Sequence, residues 1–409
     1  MMWEQIRSNR IRSVILVGAM AALLLGIGYL LGEAFLGNAI GGLVIALALL
    51  AIMNLVAWFQ GDNIMLTLSR AKKIKREDHP RLYNIVEEMQ IASGLEKMPD
   101  VYIIDDPSMN AFATGRDAKK ASVAVTAGLL QKLNRDELQG VIGHEIAHIR
   151  NRDVLLMTLC GILLGTIVIL AFFGSRMMLF GGMYGGRRSS RSGAGGGQAQ
   201  MIIMVVALVL AILAPIIAQL IYFAISRKRE YMADASSAVF TRYPEGLASA
   251  LEKLGASTVP VQAANKATAP MYIINPFRAK GRAAADLTST HPPISERVRI
   301  LRSMGGGASL TDYNNAYSSV HKGGKNILGG ATLASAGTVG IRGAVKDTTP
   351  VEREPDKVER TREVSDLMWQ MKKYRTVDCD CGTRLRVPPD LQATSVRCPH
   401  CGRDNSVQQ

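Results

Sequence analysis

GVIGHEIAHIRNRD, residues 140–153, runs directly into VLLMTLCGILLGTIVIL, residues 154–170, a stretch without a single charge. The first segment has helical periodicity, and on a helix His144 and His148, four residues apart, share one face one turn apart. Two imidazoles in that relation can hold one zinc ion, and Glu145, beside the first, can reach water on the metal as a general base. Asn134 with Glu137 three residues on gives this helix a capping-box start. The second segment is long enough to enter a membrane, so the reading turns on why a metal pattern abuts a span.

Charged residues are missing from four windows: 13–32, 34–61, 154–175, and 192–226, whose dense apolar part is 201–225. Each can cross roughly 30 Å of hydrocarbon as a helix of about 20 residues. The apolar run 14–31 is long for a cleaved signal, and a second span follows it closely. Thirteen Lys and Arg residues flank the spans on one side: Arg7, Arg10, Arg12, the group from Arg70 to Arg76, Arg150, Arg152, and Arg227 to Arg229. Four flank them on the other: Arg176, Arg187, Arg188 and Arg191. The balance places both termini and the large hydrophilic segments in the cytoplasm. The formal net charge of +14 then reads as charge apposed to anionic lipid, with nucleic acid not an expected partner.

Hydrolytic zinc needs a third protein ligand and one open position. Of the other four histidines, His79 precedes a proline, His321 lies in a Gly/Ser-rich stretch, His400 lies among cysteines and His291 precedes two prolines as a turn residue would, so a carboxylate is expected. SRKREYMADASSA, residues 226–238, offers Glu230 and, four residues on, Asp234. Glu230 could bind the metal while Asp234 orients a ligand imidazole. The membrane geometry favours this pair: at 1.5 Å per helical residue, His148 and Glu230 both fall within roughly 10 Å of the same membrane surface. A hairpin of the third and fourth spans brings its two mouths together there.

NAFATG, HEIAHIRNRD, SRKREYMADASSA and STHPPISERV, in that order and with four spans, resemble the HtpX-like membrane-bound zinc metalloproteases, bacterial relatives of the CAAX prenyl endopeptidases. The similarity runs from about residue 1 to 304. It implies that His144, His148 and Glu230 bind zinc, that Glu145 is the catalytic base, and that Asp234 supports a ligand. It also implies a role for His291 near the active site, in substrate or oxyanion binding. It further implies that Asn110, Ala111, Phe112 and Ala113 belong to an edge strand whose backbone pairs with an extended substrate. The biological setting it implies is a stress-response protease acting on misfolded or damaged membrane proteins.

Beyond that similarity, VDCDCGTRLRVPPDLQATSVRCPHCG places Cys379 and Cys381 against Cys398 and Cys401, each pair followed by a glycine. Four thiolates so arranged read as a closed, structural zinc ribbon. The C-x-C spacing of the first pair departs from the commoner C-x-x-C, and His400 is an alternative ligand. The fifth cysteine, Cys160, sits alone in the third span, as a reducing compartment allows.

The expected fold is therefore an α+β membrane protein: a mainly helical, zincin-type protease domain with a small sheet, four transmembrane helices and a small C-terminal ribbon. Its expected segments are an N-terminal hairpin at 1–61 with spans about 13–32 and 37–60, and a protease domain at 62–304 with spans about 154–175 and 201–226. A flexible linker at 305–360, a short helix at 361–376 and the ribbon at 377–409 complete the chain. The expected function is a zinc endopeptidase of the inner membrane, facing the cytoplasm, with one catalytic and one structural Zn2+ and with membrane-protein or unfolded polypeptide substrates. The competing expectation is a catalytically silent anchor that presents the ribbon to protein or nucleic acid.

Overall fold

Four long helices carry the apolar windows: α1 (Met2–Leu36), α2 (Ala39–Leu68), α6 (Asp153–Gly181) and α7 (Gly196–Thr241). In this computed structural model, which describes residues 2–181, 196–262, 272–274, 291–321, 326–329, 333, 337, 339–343, 354–391 and 393–407, the stretches apolar enough to cross a membrane are Val14–Leu36, Ala39–Val56, Asp153–Arg176 and Met201–Ile221. Met20, Leu24, Ile27, Leu163, Ile167 and Ala214 pack between them, while Val44, Leu47, Leu55, Phe172 and Ile212 face outward. So large an exposed apolar belt needs lipid around it. A Cβ on Gly42 would lie 2.4 Å from the Gly32 Cα, so α1 and α2 touch backbone to backbone, as small residues permit in membranes. Residues 182–195, which join α6 to α7, lie outside the described residues.

The expected small sheet has the strand order β1-β2-β4-β3, from β1 (Lys72–Lys73), β2 (Asp100–Ile104), β3 (Ala111–Gly115) and β4 (Ala121–Thr126). β2 and β4 run parallel, and β3 is an antiparallel outer strand in register Ala113↔Val123. Helices α3 (Pro80–Ser93), α4 (Ala127–Lys132), α5 (Arg135–Arg150), α8 (Pro244–Ala256) and α9 (Ile294–Arg302) surround it. Their apolar faces meet the sheet in one core that includes Ile85, Val123, Val125, Leu138, Ile142, Leu251 and Leu301. His79 caps α3: its Nδ1 accepts the Leu82 N–H at 3.2 Å, and Pro80 supplies the first helical residue. Burial, aided by Arg81, pulls the His79 imidazole down to about 4, so it stays a neutral acceptor.

The segment 305–360 departs from the flexible linker expected of its composition. It contains α10 (Leu310–Val320), started by a capping box of Ser309 and Asp312 and burying Tyr313, Asn314 and Ala316. Asn314 Oδ1 then accepts the N–H groups of Ile327 and Leu328 at 3.1 and 3.3 Å. Further on, Arg342 donates to Asp136 and Gln139 at 2.7 and 2.6 Å. A few anchoring side chains suffice to order a Gly/Ser/Ala-rich chain, and composition averages over them. Residues 344–353 of that segment lie outside the described residues.

The helix expected at 361–376 lies earlier, as α11 (Lys357–Met371), and buries Val364, Leu367 and Met368 against the same core. Two antiparallel pairs follow: β5 (Arg375–Asp378) with β6 (Arg384–Val387), and β7 (Ser395–Arg397) with β8 (Asp404–Ser406). Arg384 and Arg386 pair with Asp366 of α11, and Arg386 also lies over the Trp369 ring.

Candidate functional site

The capping box at Asn134 and Glu137 starts α5 as its sequence predicts, with both reciprocal bonds at 2.9 Å. Glycines at 140 and 143 weaken a helix by up to about 1 kcal/mol each relative to alanine, yet they set its distance from its neighbours. A Cβ on Gly140 would lie 2.6 Å from the Leu247 nitrogen of α8, and one on Gly143 would lie 3.0 Å from Ser237 Oγ of α7. Ser237 Oγ donates to the Gly140 carbonyl at 2.7 Å. That close crossing brings Glu230 and Asp234, one turn apart on α7, against His144 and His148.

The imidazoles point their Nε2 atoms at each other, 3.2 Å apart, and both at the Glu230 carboxylate, which is 3.5 Å from His144 and 3.4 Å from His148. Each ring is held from behind by a carboxylate. Asp234 Oδ1 is 2.9 Å from His144 Nδ1, and Asp153 Oδ2 is 3.1 Å from His148 Nδ1. A proton kept on each Nδ1 leaves both Nε2 lone pairs facing inward, the orientation metal ligation requires. Ligand atoms of His144, His148 and Glu230 all lie within 4.8 Å of one another, a spacing that fits one metal ion.

Asp153 and Arg297 are the parts that motif reading missed. Asp153 is the last residue of the opening stretch; after α5 the chain turns through Arg152 at φ 58°, and α6 begins with Asp153 turned back toward His148. Arg229, next to Glu230, pairs with the same carboxylate. Arg297, fully buried on α9, forks onto Asp234 at 2.8 and 2.6 Å and reaches Glu230 Oε2 at 3.3 Å. His291 also arrives here, its Nδ1 2.9 Å from Glu230 Oε2.

Glu145 is 2 % exposed, and its Oε1 has no hydrogen-bond partner. Burial lifts its carboxyl above the ordinary range, against the pull of His144 and His148. Burial works the same way on Glu230, but there His291, His144 and His148 outweigh it and hold the group well below that range. Two neighbouring carboxyls are thus pushed apart, one toward carrying a proton and one toward permanent charge. His144, Glu145, His148 and Glu230 line a cleft of about 410 Å³, counted to its open mouth, with Ala113, Met157, Tyr272 and Ile273 on its other walls.

The expected substrate strand differs residue by residue. Asn110 precedes β3 and is fully buried, its Nδ2 donating to the Ile274 carbonyl at 3.2 Å. The Ala111 carbonyl accepts the Ile273 N–H at 3.0 Å, and the Phe112 ring stands edge-on to Tyr272 at 5.3 Å. Of the four residues, only Ala113 lines the cleft.

The C-terminal cysteines form a second cluster, with Cys379 and Cys401 Sγ 3.5 Å apart and Cys381 and Cys398 Sγ 3.7 Å apart. All four sulfurs lie within 4.8 Å of one another. Gly382 and Gly402 take φ of 82° and 75°, which turns the chain tightly after each pair. The Thr383 hydroxyl holds the Cys381 thiol down to about 5, favouring the thiolate a metal needs. His400 is not among the clustered ligands.

A protein called Protease HtpX homolog from Dictyoglomus turgidum is 45% identical over 304 residues, 74% of this chain and 95% of that protein. Its namesake from Streptococcus mutans is 44% identical over 301 residues, 74% of this chain and 99% of that one. The crystal structure of S. mikatae Ste24p aligns with a TM-score of 0.40 at 19% identity, over 72% of this chain and 65% of that chain. The family model of peptidase family M48 matches residues 76–305, from just before α3 to just past α9. With that match, relatives of this identity and four membrane-length helices, the chain belongs to peptidase family M48 and is a membrane metallopeptidase.

Proposed function

We propose that this chain is a zinc endopeptidase of the inner membrane, with its active site on the cytoplasmic side, that hydrolyses peptide bonds of misfolded or damaged membrane proteins. The observation that carries the proposal is the meeting of His144, His148 and Glu230 in a buried cleft, with the unpaired Oε1 of Glu145 beside them. Those three residues are the zinc ligands. Zinc held there supplies a Lewis acid and lowers the pKa of nearby water. Glu145 Oε1 takes the proton from the attacking water and, with its raised affinity for protons, keeps it until the leaving amine needs it. Asp234 and Asp153 hold the two imidazoles in their working tautomer, and Arg297 neutralises the buried charge of Asp234. His291, beside Glu230, is placed to donate to the oxygen that gains charge as the carbonyl is attacked.

Ala113 of β3 offers its backbone to an extended substrate, and Asn110, Ala111 and Phe112 build the wall behind it. The second zinc is structural, held by Cys379, Cys381, Cys398 and Cys401. The excess of basic residues at one set of helix ends supports the cytoplasmic orientation. The outward apolar belt and the nearness of the cleft to the start of α6 support membrane-protein substrates. Purified protein given an unfolded membrane protein should cleave it, stop on treatment with a zinc chelator and recover on adding zinc. No cleavage with both sites loaded would favour a silent anchor that displays the ribbon.

A further inference from the structure

α9 carries Arg297 into the site and follows His291, yet little of its own holds its start. It has nine residues, and its N-cap, Pro293, makes no side-chain cap bond. A helix this short owes its place to tertiary contacts. In its first turn Glu296 Oε1 accepts the Tyr231 hydroxyl of α7 and lies 2.9 Å from His321 Nε2. Tyr231 follows Glu230, and Glu296 precedes Arg297. The Tyr231–Glu296 bond therefore runs beside the Glu230–Arg297 contact of 3.3 Å, one residue away on each helix.

The third member comes from α10, past residue 305, where the family match ends. Tyr313, Tyr317 and His321 follow one another at intervals of four, so they share one face of that helix and its cap. Tyr313 is fully buried, and burial together with the charge of Asp234 lifts its phenol well above the ordinary range. Tyr317 stands edge-on to Tyr231 at 5.0 Å and stacks on His321 at 4.0 Å. The His321 ring is fixed at its other nitrogen as well, with Nδ1 3.0 Å from the Tyr317 carbonyl. Glu296 is 24% exposed along its side chain, enough to turn toward water, and His321 holds it against that alternative.

We infer that Tyr231, Glu296 and His321 are positioning residues: through them α10 clasps α9 to α7 and fixes how Glu230 faces the two imidazoles. The inference rests on the peptidase reading above, since a metal held by His144, His148 and Glu230 is what the clasp serves. Glu296 is its joint, because both donors meet on Oε1, and His321 acts only through it. Loosening the support of a ligand weakens its metal without any contact to the ion being lost.

The test titrates the full-length protein in detergent with zinc against a competing chelator, and follows melting temperature alongside. Tyr231→Phe keeps the ring on Tyr317 and removes only the hydroxyl. It should weaken zinc at the first site about five- to tenfold, and His321→Ala about three- to fivefold, with the affinity of the cysteine site unmoved. His321→Gln, whose amide can still donate to Glu296, should stay within about twofold of wild type. In the Tyr231→Phe background, adding His321→Ala should cost no more than about twofold, because the joint it steadies no longer reaches α7. Losses that multiply in the double variant would overturn the inference. So would a lowered melting temperature in His321→Ala with zinc affinity unchanged, which is what a merely stabilising α10 gives. Should Tyr231→Phe not fold, the contrast between His321→Ala and His321→Gln decides. The expected affinity pattern without chelator-sensitive cleavage by the wild type would instead remove the peptidase reading and leave the clasp standing.

Discussion

Two clusters in this chain could each hold a metal, and they are built in opposite ways. The first draws His144 and His148 from α5 and Glu230 from α7. Asp153 and Asp234 stand behind the rings, Arg297 backs Asp234, and one side opens on a cleft. The second takes four sulfurs from two short turns within one small module. A reactive site needs an open position and ligands held rigidly from outside, so it depends on the whole fold. A closed thiolate site needs only its own turns.

The sharpest way to break this contrast is to replace Glu145, the proposed base, while sparing the proposed ligands. Glu145→Gln should lower kcat/KM about 10²- to 10⁴-fold, the usual contribution of a general base, while elemental analysis finds the metal content of the wild type. Activity within tenfold of wild type would remove Glu145 from the mechanism and leave the two clusters functionally alike. Glu230→Ala separates them by content: metal per chain should fall by one equivalent, with proteolysis abolished and the cysteine site still loaded.

What could be read in the sequence follows the same division. Patterns closed within a few residues were legible: the four apolar windows, the capping box at Asn134, the His144–His148 spacing and the glycine-followed cysteine pairs. Glu230 was reachable because membrane helices make it possible to compare chain positions by depth. Arg297 was not, since it acts on His144 and Asp234 across 153 and 63 residues and on its own helix looks like one more surface cation. Asp153 stood in the opening stretch, yet its role depends on the left-handed turn at Arg152, which no spacing rule foretells. The helix α10 was hidden by its Gly/Ser-rich surroundings, although Ser309 and Asp312 had the capping-box spacing that marked α5.

Asp234→Asn should come next in size. It keeps the side chain's shape but removes the charge that orients His144 and pairs with Arg297. Metal affinity at the first site should fall about 10- to 100-fold, as for other carboxylates that support a ligand histidine. Titration with a competing chelator measures this, and the affinity of the cysteine site should not move. If both sites weakened together, the change would be a global loss of fold, visible in the melting temperature, and the claim of separate construction would fail.

The smallest effect on catalysis should come from the ribbon. Replacing both Cys398 and Cys401 with serine removes half of a site whose metal organises its own turns, so one metal equivalent should be lost. Backbone amides of β7 and β8 should then exchange rapidly with solvent. α11 should remain docked, because Val364, Leu367 and Met368 bury themselves in the protease core independently of the cysteines. The links from α11 to the ribbon include Asp366 with Arg384 and Arg386, Ser365 with Arg386, and Trp369 beneath Arg386. These are partly exposed contacts worth at most about 1 kcal/mol each, so they transmit little of the ribbon's collapse. Peptidase activity should stay within about threefold of wild type on a detergent-solubilised substrate. A loss comparable to that of Glu145→Gln would show the two clusters acting as one unit, with the ribbon holding the active site in place.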